Sequence, residues 1–370
     1  MKKQITIICL LLNSVFARSQ NFVKMSSPCT DALMQKTPGR WINVKDNIYA
    51  PELNKAQLPE IAKRLDNIQK FVLKTYPTPI GVDAVWQRIV NDEFFCSQLK
   101  FSNTSEGELK YDIVNGIPVA SYYYSSGFFR YSCGSEPNQM RTGYPGETGT
   151  SMFVYANNLQ NFFIRMQLDK PLEQVMCIDG RPIKMMSAVK GKWKGYTLYY
   201  PEPGSGESYV LLHREGILPY IPVTRKEYLD RCIEYIPKFY GPMLKGCESY
   251  PDAEQREEYL KNARQQREKV LKFYQDELKR TTADNLLNSP AIIPTYIFNI
   301  SADPVFSTEE AGGKMLVTEN PAYIRKDLPK YIPQFFVMTW RCSDWKPQKD
   351  VCITIEEDFP IEKLQVMIDK

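Results

Sequence analysis

Residues 213–240, HREGILPYIPVTRKEYLDRCIEYIPKFY, contain the clearest start signal for a helix in this chain. Thr224 is followed three residues later by Glu227, which is the spacing of a capping box. In that motif the threonine hydroxyl accepts a hydrogen bond from the glutamate N–H, and the glutamate carboxylate accepts one from the threonine N–H. The sequence therefore predicts a helix that begins directly after Thr224.

The apolar residues of this predicted helix share one face. Val223 and Tyr228 are placed as a hydrophobic staple around the first turn. The face itself is formed by Tyr228, Leu229, Cys232, Ile233 and Ile236. Pro237 has no N–H for the helical ladder and disfavours helical geometry at the preceding residue. We therefore expect a buried helix that ends near Ile236.

Two β-rich runs precede the helix and complete a central unit. They are GYTLYY at Gly195–Tyr200 and SYVLLHR at Ser208–Arg214. A loop rich in proline, glycine and serine separates them at 201–207, which is typical of a hairpin connection. The central unit is thus predicted to be a β-hairpin followed by a helix.

The first residues, MKKQITIICLLLNSVFARSQ, have the pattern of an export signal. A basic start is followed by an apolar run from Ile5 to Ala17 and by small residues that suit cleavage before Gln20. The run is short for a bilayer span, so a retained anchor is the alternative. Cys9 lies inside the run rather than at the cleavage point, which argues against a lipoprotein. We expect 1–19 to be a signal peptide, and the mature protein to be periplasmic or secreted with no transmembrane span.

Removal of the signal changes what the charge implies. Lys2, Lys3 and Arg18 leave with it, which lowers the formal net charge from +4 to about +1. A nearly neutral chain has no general electrostatic attraction for nucleic acid. Nucleic acid is therefore not an expected partner.

The cysteines indicate disulfide bonds. Nine are present, and Cys9 would leave with the signal, so an even number remains in an exported protein. Metal binding is the weaker interpretation because there is no C-x-x-C and a single histidine. The short spacings favour the pairs Cys232–Cys247 and Cys342–Cys352, each worth about 3 kcal/mol. The alternative for Cys232, on the apolar helix face, is a buried free thiol.

The remaining pattern predicts an α+β fold that is mainly antiparallel sheet. An early amphipathic helix is expected over 58–76 and one long exposed helix over 252–281, opened by Asp252. Short strands are expected over 86–167, with a tight aromatic hairpin turning at 125–127. The last ninety residues are expected to contain strands at 292–300, 314–318, 334–341 and 351–355 and a helix at 362–368.

These elements suggest a division of the mature chain into three parts. We expect a main α+β domain over 20–250, the long helix over 251–284, and a smaller β-rich C-terminal part over 285–370. Three stretches, KTPGRW at 36–41, LPYIPVTRKEYL at 218–229 and NPAYIRKDLPKYIPQFFVMTW at 320–340, resemble a group of exported bacterial proteins of unknown function. The resemblance implies export and no particular activity.

The single histidine excludes several kinds of catalytic site. His213 is the sole histidine, so HExxH zinc sites, two-histidine iron sites and multi-histidine copper sites cannot be built. It lies in an apolar run and is expected to be a satisfied or exposed strand histidine rather than a catalytic base. The chain also lacks G-x-S-x-G, Walker and G-x-G-x-x-G motifs. No cofactor is expected.

Two groups of residues are candidates for binding. Aromatic residues at 122–131 and 196–200 could offer stacking surfaces for sugar rings, although strand aromatics more often belong to the core. Between 181 and 194 there are five cations around Met185, Met186 and Trp193, namely Arg181, Lys184, Lys190, Lys192 and Lys194. They could face an anionic polymer or lipid, or protect a solvated hairpin edge.

Acidic pairs of a glycan hydrolase leave no fixed spacing in a sequence. Glu147, in GYPGETG, and Glu207, in PEPGSGES, are loop acids that could serve in such a pair or simply solvate a turn. With no catalytic motif present, the leading hypothesis is a non-catalytic envelope or extracellular protein that binds an envelope polymer or a protein. The alternative is a histidine-independent glycan hydrolase that uses Asp/Glu pairs.

Overall fold

A computed structural model gives the structure of the chain over residues 21–49, 57–103, 109–142, 149–159, 162–163, 177–201, 206–281, 283–294 and 304–370. The expected signal peptide, 1–19, lies outside these ranges. The fold is α+β and dominated by antiparallel sheet, as the sequence predicts.

Seventeen strands and seven helices are found in the described ranges. The strands are β1 Asn21–Lys24, β2 Trp41–Asn43, β3 Asn47–Tyr49, β4 Val82–Asn103, β5 Leu109–Cys133, β6 Gln139–Thr142, β7 Thr150–Ala156, β8 Cys177–Ile178, β9 Arg181–Pro182, β10 Lys184–Met185, β11 Ala188–Trp193, β12 Tyr196–Tyr200, β13 Glu207–Leu212, β14 Tyr220–Pro222, β15 Ile292–Ile293, β16 Lys314–Glu319 and β17 Phe336–Arg341. The helices are α1 Asp31–Met34, α2 Leu58–Thr75, α3 Arg225–Glu248, α4 Ala253–Arg280, α5 Asp284–Leu287, α6 Lys346–Asp358 and α7 Ile361–Met367.

A large sheet of 11 described strands forms the centre of the molecule. Its main path runs β1-β6-β5-β7-β17-β13-β12-β11, and β4 pairs with β5 along a long antiparallel register. The predicted hairpin is present as β12 and β13, with Leu198 opposite Val210. β17 lies between β7 and β13 and pairs with both. β17, which belongs to the expected C-terminal part over 285–370, is therefore a central strand of the large sheet.

The central strands are buried on both faces. In β17, Phe336, Met338 and Trp340 belong to the core on one side, whereas Val337 belongs to the core on the other. This alternation follows from the two-residue period of a strand. A strand that is covered on both sides can be apolar throughout, which explains the continuous run FFVMTW.

Helices cover one face of the large sheet. The apolar stripe of α2, with Ile61, Leu65, Ile68 and Val72, packs there together with residues of α6 and α7. A small sheet, β10-β16-β14 with β15, covers the other face through Tyr220 of β14 and Val317 of β16. Leu316, which precedes Val317 in β16, points away from the large sheet. It belongs to a third core, which α3 and α4 cover. The fold thus stacks helices, large sheet, small sheet and a helical hairpin.

The helix predicted from the capping box begins where expected but ends later. Thr224 Oγ1 accepts from Glu227 N at 3.1 Å, and Glu227 Oε2 accepts from Thr224 N at 2.8 Å. The predicted end near Ile236 is wrong, because α3 continues through Pro237 and Pro242 to Glu248. Each proline removes one helical N–H, but the packing of α3 into the core that it shares with α4 continues as far as Leu244.

The cysteine pairing is correct at one of the two predicted positions. Cys342 and Cys352 form a disulfide, and a second one joins Cys29 to Cys133. The predicted Cys232–Cys247 bond is wrong, since both are free thiols. They lie on one continuous helix 15 residues apart, and a helix rises about 1.5 Å per residue, so about 22 Å separates them. The alternative, a buried thiol at Cys232, is correct.

Two other local predictions are overturned. The expected turn at 125–127 is absent, because these residues run inside β5 and pair with β4 and β7 on either side. The expected strand at 351–355 is part of α6, where Val351, Cys352 and Ile355 are buried against the large sheet. In both places, partners distant in the sequence outweigh the local preference.

Candidate functional site

The structure describes one of the two loop acids suggested by the sequence. Glu147 lies outside the described residues. Glu207 begins β13, and its Oε2 accepts a hydrogen bond from the hydroxyl of Tyr209 at 2.7 Å. That bond and burial both raise the pKa of Tyr209, so the phenol keeps its proton and continues to donate.

One other carboxylate, that of Glu319, has a pKa above its usual value. Glu319, the last residue of β16, is half-buried as a whole, and its carboxylate is the enclosed part. Burial raises the pKa of Glu319, and this rise is opposed by the Cys96 N–H and by the cations Lys184 and Arg181. The Cys96 N–H donates to Glu319 Oε2 at 2.5 Å. Cys96 lies at an irregularity of β4 with a left-handed φ of 54°.

Two cations lie close to Glu319. The pKa of its carboxylate is lowered by Lys184 and Arg181, against the rise caused by burial. Arg181 also reaches a second acid, since its Nη2 lies 3.5 Å from Asp179 Oδ2. Arg181 is itself engaged, since its Nη1 donates to the backbone oxygen of Glu319 at 3.0 Å.

Several other acids hold the fold through arginines. Asp46 and Asp66 both contact the guanidinium of Arg88, with Asp46 Oδ2 at 2.6 Å from Nη2. The buried Asp83 accepts from the hydroxyl of Tyr131 at 2.6 Å. Its other oxygen lies 3.5 Å from an Arg40 nitrogen.

His213 lies just after β13 and is satisfied, as expected. Its Nδ1 is 2.7 Å from the carbonyl oxygen of Arg214 and 3.1 Å from that of Ile217. Because carbonyl oxygens only accept, Nδ1 carries the proton. The ring is therefore tied to its own loop.

The aromatic segments suggested for sugar binding are mostly core. Four aromatic residues of the first segment lie on β5 of the large sheet and are buried, namely Tyr122, Tyr124, Phe128 and Tyr131. The residues of Tyr196–Tyr200 are half-buried along β12. Tyr123 and Phe129, in the same segment, are half-buried.

The basic segment at 181–194 contains the edge strand β11. Met185 and Met186 are buried, whereas Lys190 and Lys192 are exposed on the edge. Lys194 Nζ donates to the carbonyl oxygens of Glu357 at 2.7 Å and Phe359 at 2.9 Å. Lysines on an exposed edge strand discourage pairing with other chains, which agrees with the edge-protection interpretation.

A surface that the sequence analysis did not identify lies at the end of the α3–α4 hairpin. We call it the hairpin tip and define it by Met243, Cys247, Tyr250 and Tyr259. The rings of Tyr250 and Tyr259 are 4.7 Å apart, and these two residues are 43% and 41% exposed. Met243 is 46% exposed.

Comparisons with known proteins give no relative: no family model, curated protein or solved structure matches the chain. In the part of the chain that the structure covers, no helix has the length and apolar character to cross a membrane. Among the same residues, no group of three His, Cys, Asp or Glu side chains is arranged to hold a metal ion.

Proposed function

We propose that this is an exported, non-catalytic interaction protein that works in the periplasm or outside the cell. The observation that carries the proposal is the pair of exposed tyrosines at the hairpin tip. Aliphatic residues are exposed elsewhere as well, but Tyr250 and Tyr259 are the exposed aromatic residues among the side chains that the structure describes, and their rings pack on each other.

The arrangement of the acids supports the absence of catalysis. The carboxylate with the raised pKa, Glu319, has the cations Lys184 and Arg181 close to it. The acids at Asp46, Asp66 and Asp83 bind arginines that fix the fold.

The two disulfides support export. Disulfide bonds persist in oxidising compartments and are rare in the cytosol. Cys29–Cys133 closes a long loop and Cys342–Cys352 a short one, so both the beginning and the end of the described chain are cross-linked.

Catalysis is tested with a panel of neutral and anionic glycans and the purified protein. We expect no reducing ends above the buffer blank, and the same for Glu319→Gln. Release of reducing ends that is lost in Glu319→Gln or in Glu207→Gln would overturn the proposal and establish a hydrolase.

Binding is tested with fluorescently labelled protein mixed with an envelope extract of the source cells. We expect earlier elution in gel filtration than for the labelled protein alone, with an unlabelled excess of the same protein abolishing the shift. An unchanged elution volume over a range of extract concentrations would contradict an interaction function.

A further inference from the structure

The apolar stripes of α3 and α4 both continue past the core that buries them. In α3 the stripe runs through Cys232, Ile236 and Tyr240, which are buried. The next positions at helical spacing are Met243, Leu244 and Cys247, of which Leu244 still packs against this core. Met243 is 46% exposed and Cys247 is half-buried.

The stripe of α4 behaves in the same way. Ala263, Val270 and Tyr274 are its buried members. Tyr259 stands four residues before Ala263, so it extends that stripe by one turn beyond the covered part. Each helix therefore presents the end of its apolar face at the same end of the hairpin.

The connection between the helices draws these residues into one patch. The Tyr250 N–H donates to the carbonyl oxygen of Cys247 at 3.3 Å, and its ring packs on Tyr259. Arg256 Nη1 donates to the carbonyl oxygen of Tyr250 at 3.1 Å, which fixes the loop from the α4 side. The patch is thus held by the fold rather than carried on an unattached loop.

The charges around the patch are mainly acidic. Residues 241–262 contain five acids, Glu248, Asp252, Glu254, Glu257 and Glu258, against three cations, Lys245, Arg256 and Lys261. The rest of α4, 264–280, has six cations and three acids. A partner that covers the tip should therefore carry positive charge, whereas an anionic lipid, a polyanion or the tip of a second copy would be repelled.

We infer that the hairpin tip is the docking surface for a protein partner that presents an apolar pocket rimmed by lysine and arginine. The inference rests on the proposed interaction function and adds the surface and the chemistry of the partner. Tyrosine and methionine are enriched in protein interfaces, and tyrosine is frequent among the residues that dominate binding energy. The acidic rim accelerates association with a basic partner and makes the association sensitive to salt.

Cys247 gives direct access to this surface. It is half-buried, whereas the other free thiols, Cys96, Cys177 and Cys232, are buried. A benzophenone maleimide attached to Cys247 therefore places a photocrosslinker at the tip of the otherwise unchanged protein. The matched control carries the same reagent at position 366 in a Cys247→Ser, Val366→Cys variant, because Val366 is 60% exposed on α7, across the large sheet from the hairpin.

The labelled proteins are illuminated in the envelope extract, and the products are mapped by mass spectrometry. We expect one protein product from Cys247, absent from the control, whose crosslinked peptide contains lysine or arginine beside apolar residues. Tyr250→Ser with Tyr259→Ser should lower its yield at least about tenfold, as loss of a dominant contact does. Raising the salt from about 0.05 to about 0.5 M should lower the yield as well.

Other products would overturn the inference. These are a second copy of the chain, a polysaccharide, a partner peptide without basic residues, or the same products from the control position. Far-UV circular dichroism of the tyrosine variant should match that of the parent, because exposed side chains contribute less than about 0.5 kcal/mol to folding. If the gel-filtration shift persists in the tyrosine variant, the docking surface is elsewhere, and the interaction function itself still stands.

Discussion

The large sheet and the α3–α4 hairpin differ in how completely they are covered. Strand β17 has a core on each face and strand neighbours on both edges. The α3–α4 hairpin is buried at the end away from its connecting loop. Near the loop, its apolar stripes reach solvent at Met243 and Tyr259. The same kind of residue, a large aromatic, thus stabilises the fold in one region and is available for contact in the other.

The largest expected effect separates the two regions directly. Trp340 of β17 is 1% exposed, packs on Trp193 at 4.9 Å and donates from Nε1 to Glu356 at 3.0 Å. Trp340→Ala should lower the free energy of unfolding by about 4 kcal/mol through loss of apolar contacts and a cavity. Tyr259→Ala should lower it by less than about 0.5 kcal/mol. Denaturant unfolding measures both, and equal losses would show that the tip is part of a core.

The second effect concerns the disulfide under the large sheet. Cys342–Cys352 ties the end of β17 to α6, ten residues later. Replacing both cysteines by serine should cost about 3 kcal/mol, because the unfolded chain regains the freedom of that loop. Cys247→Ser, at the hairpin tip, is the control and should leave the melting temperature unchanged. A double variant as stable as the parent would contradict the structural role of the bond.

The third prediction concerns the N-terminal cap of α3, the first helix of the α3–α4 hairpin. Thr224→Ala removes the hydroxyl that accepts from Glu227 N and should cost about 1 kcal/mol. Thr224→Ser keeps an acceptor at that position and should recover most of the loss. If alanine and serine have equal effects, the hydroxyl does not cap α3.

The smallest effect is a difference in pH dependence. Burial raises the pKa of Glu319 above its usual 4.5, so the folded state holds this proton more tightly than the unfolded state does. The contribution of Glu319 to stability is then complete below about pH 4.5 and is lost as pH rises through the folded-state pKa. Glu319→Gln stays neutral and keeps an oxygen for the Cys96 N–H.

We therefore expect the stability of Glu319→Gln relative to the parent to rise between about pH 4 and about pH 7.5. Denaturant unfolding at the two pH values gives the difference. Glu258→Gln, at an exposed acid on α4, is the control and should show no such trend. A constant difference for Glu319→Gln would mean that this carboxylate is ionised at no extra cost in the fold.

Sequence patterns predicted the elements that have local signals. The capping box at Thr224 and the cap at Asp252 marked helix starts because their hydrogen bonds join residues three apart. The apolar stripe of α2 and the hairpin of β12 and β13 were likewise visible. Each of these signals depends on neighbours in the chain, so no knowledge of the fold was needed.

The errors arose where distant partners decide. Pro237 breaks an isolated helix, yet α3 continues because α4 packs along it. The continued helix also holds Cys232 and Cys247 apart, although their short spacing favoured a bond. Gly127 resembles a turn residue, but β4 and β7 hold it inside a strand. Local propensities amount to about 1 kcal/mol or less for most residues and about 3 kcal/mol for a proline inside a helix, so packing with several distant side chains can outweigh them.

The hairpin tip was not predictable for a related reason. Tyr259 continues the stripe of Ala263 and Val270 and, by its spacing, belongs to the buried face. Its exposure follows from where the small sheet and its neighbours end, which no local pattern records. Glu319 was missed similarly, because the partners that surround it come from β4, β9 and β10.

The position of β17 also governs when the sheet can be completed. Phe336 pairs with Ala156 across 180 residues of chain, and β17 fills the space between β7 and β13. Until residues 336–341 arrive, both neighbours expose unpaired backbone groups, which invite wrong pairing and aggregation. Contacts between such distant residues slow folding, because a long loop must close before they form. If the chain folds as it emerges from its amino end, the large sheet therefore stays incomplete until residues 336–341 have been made.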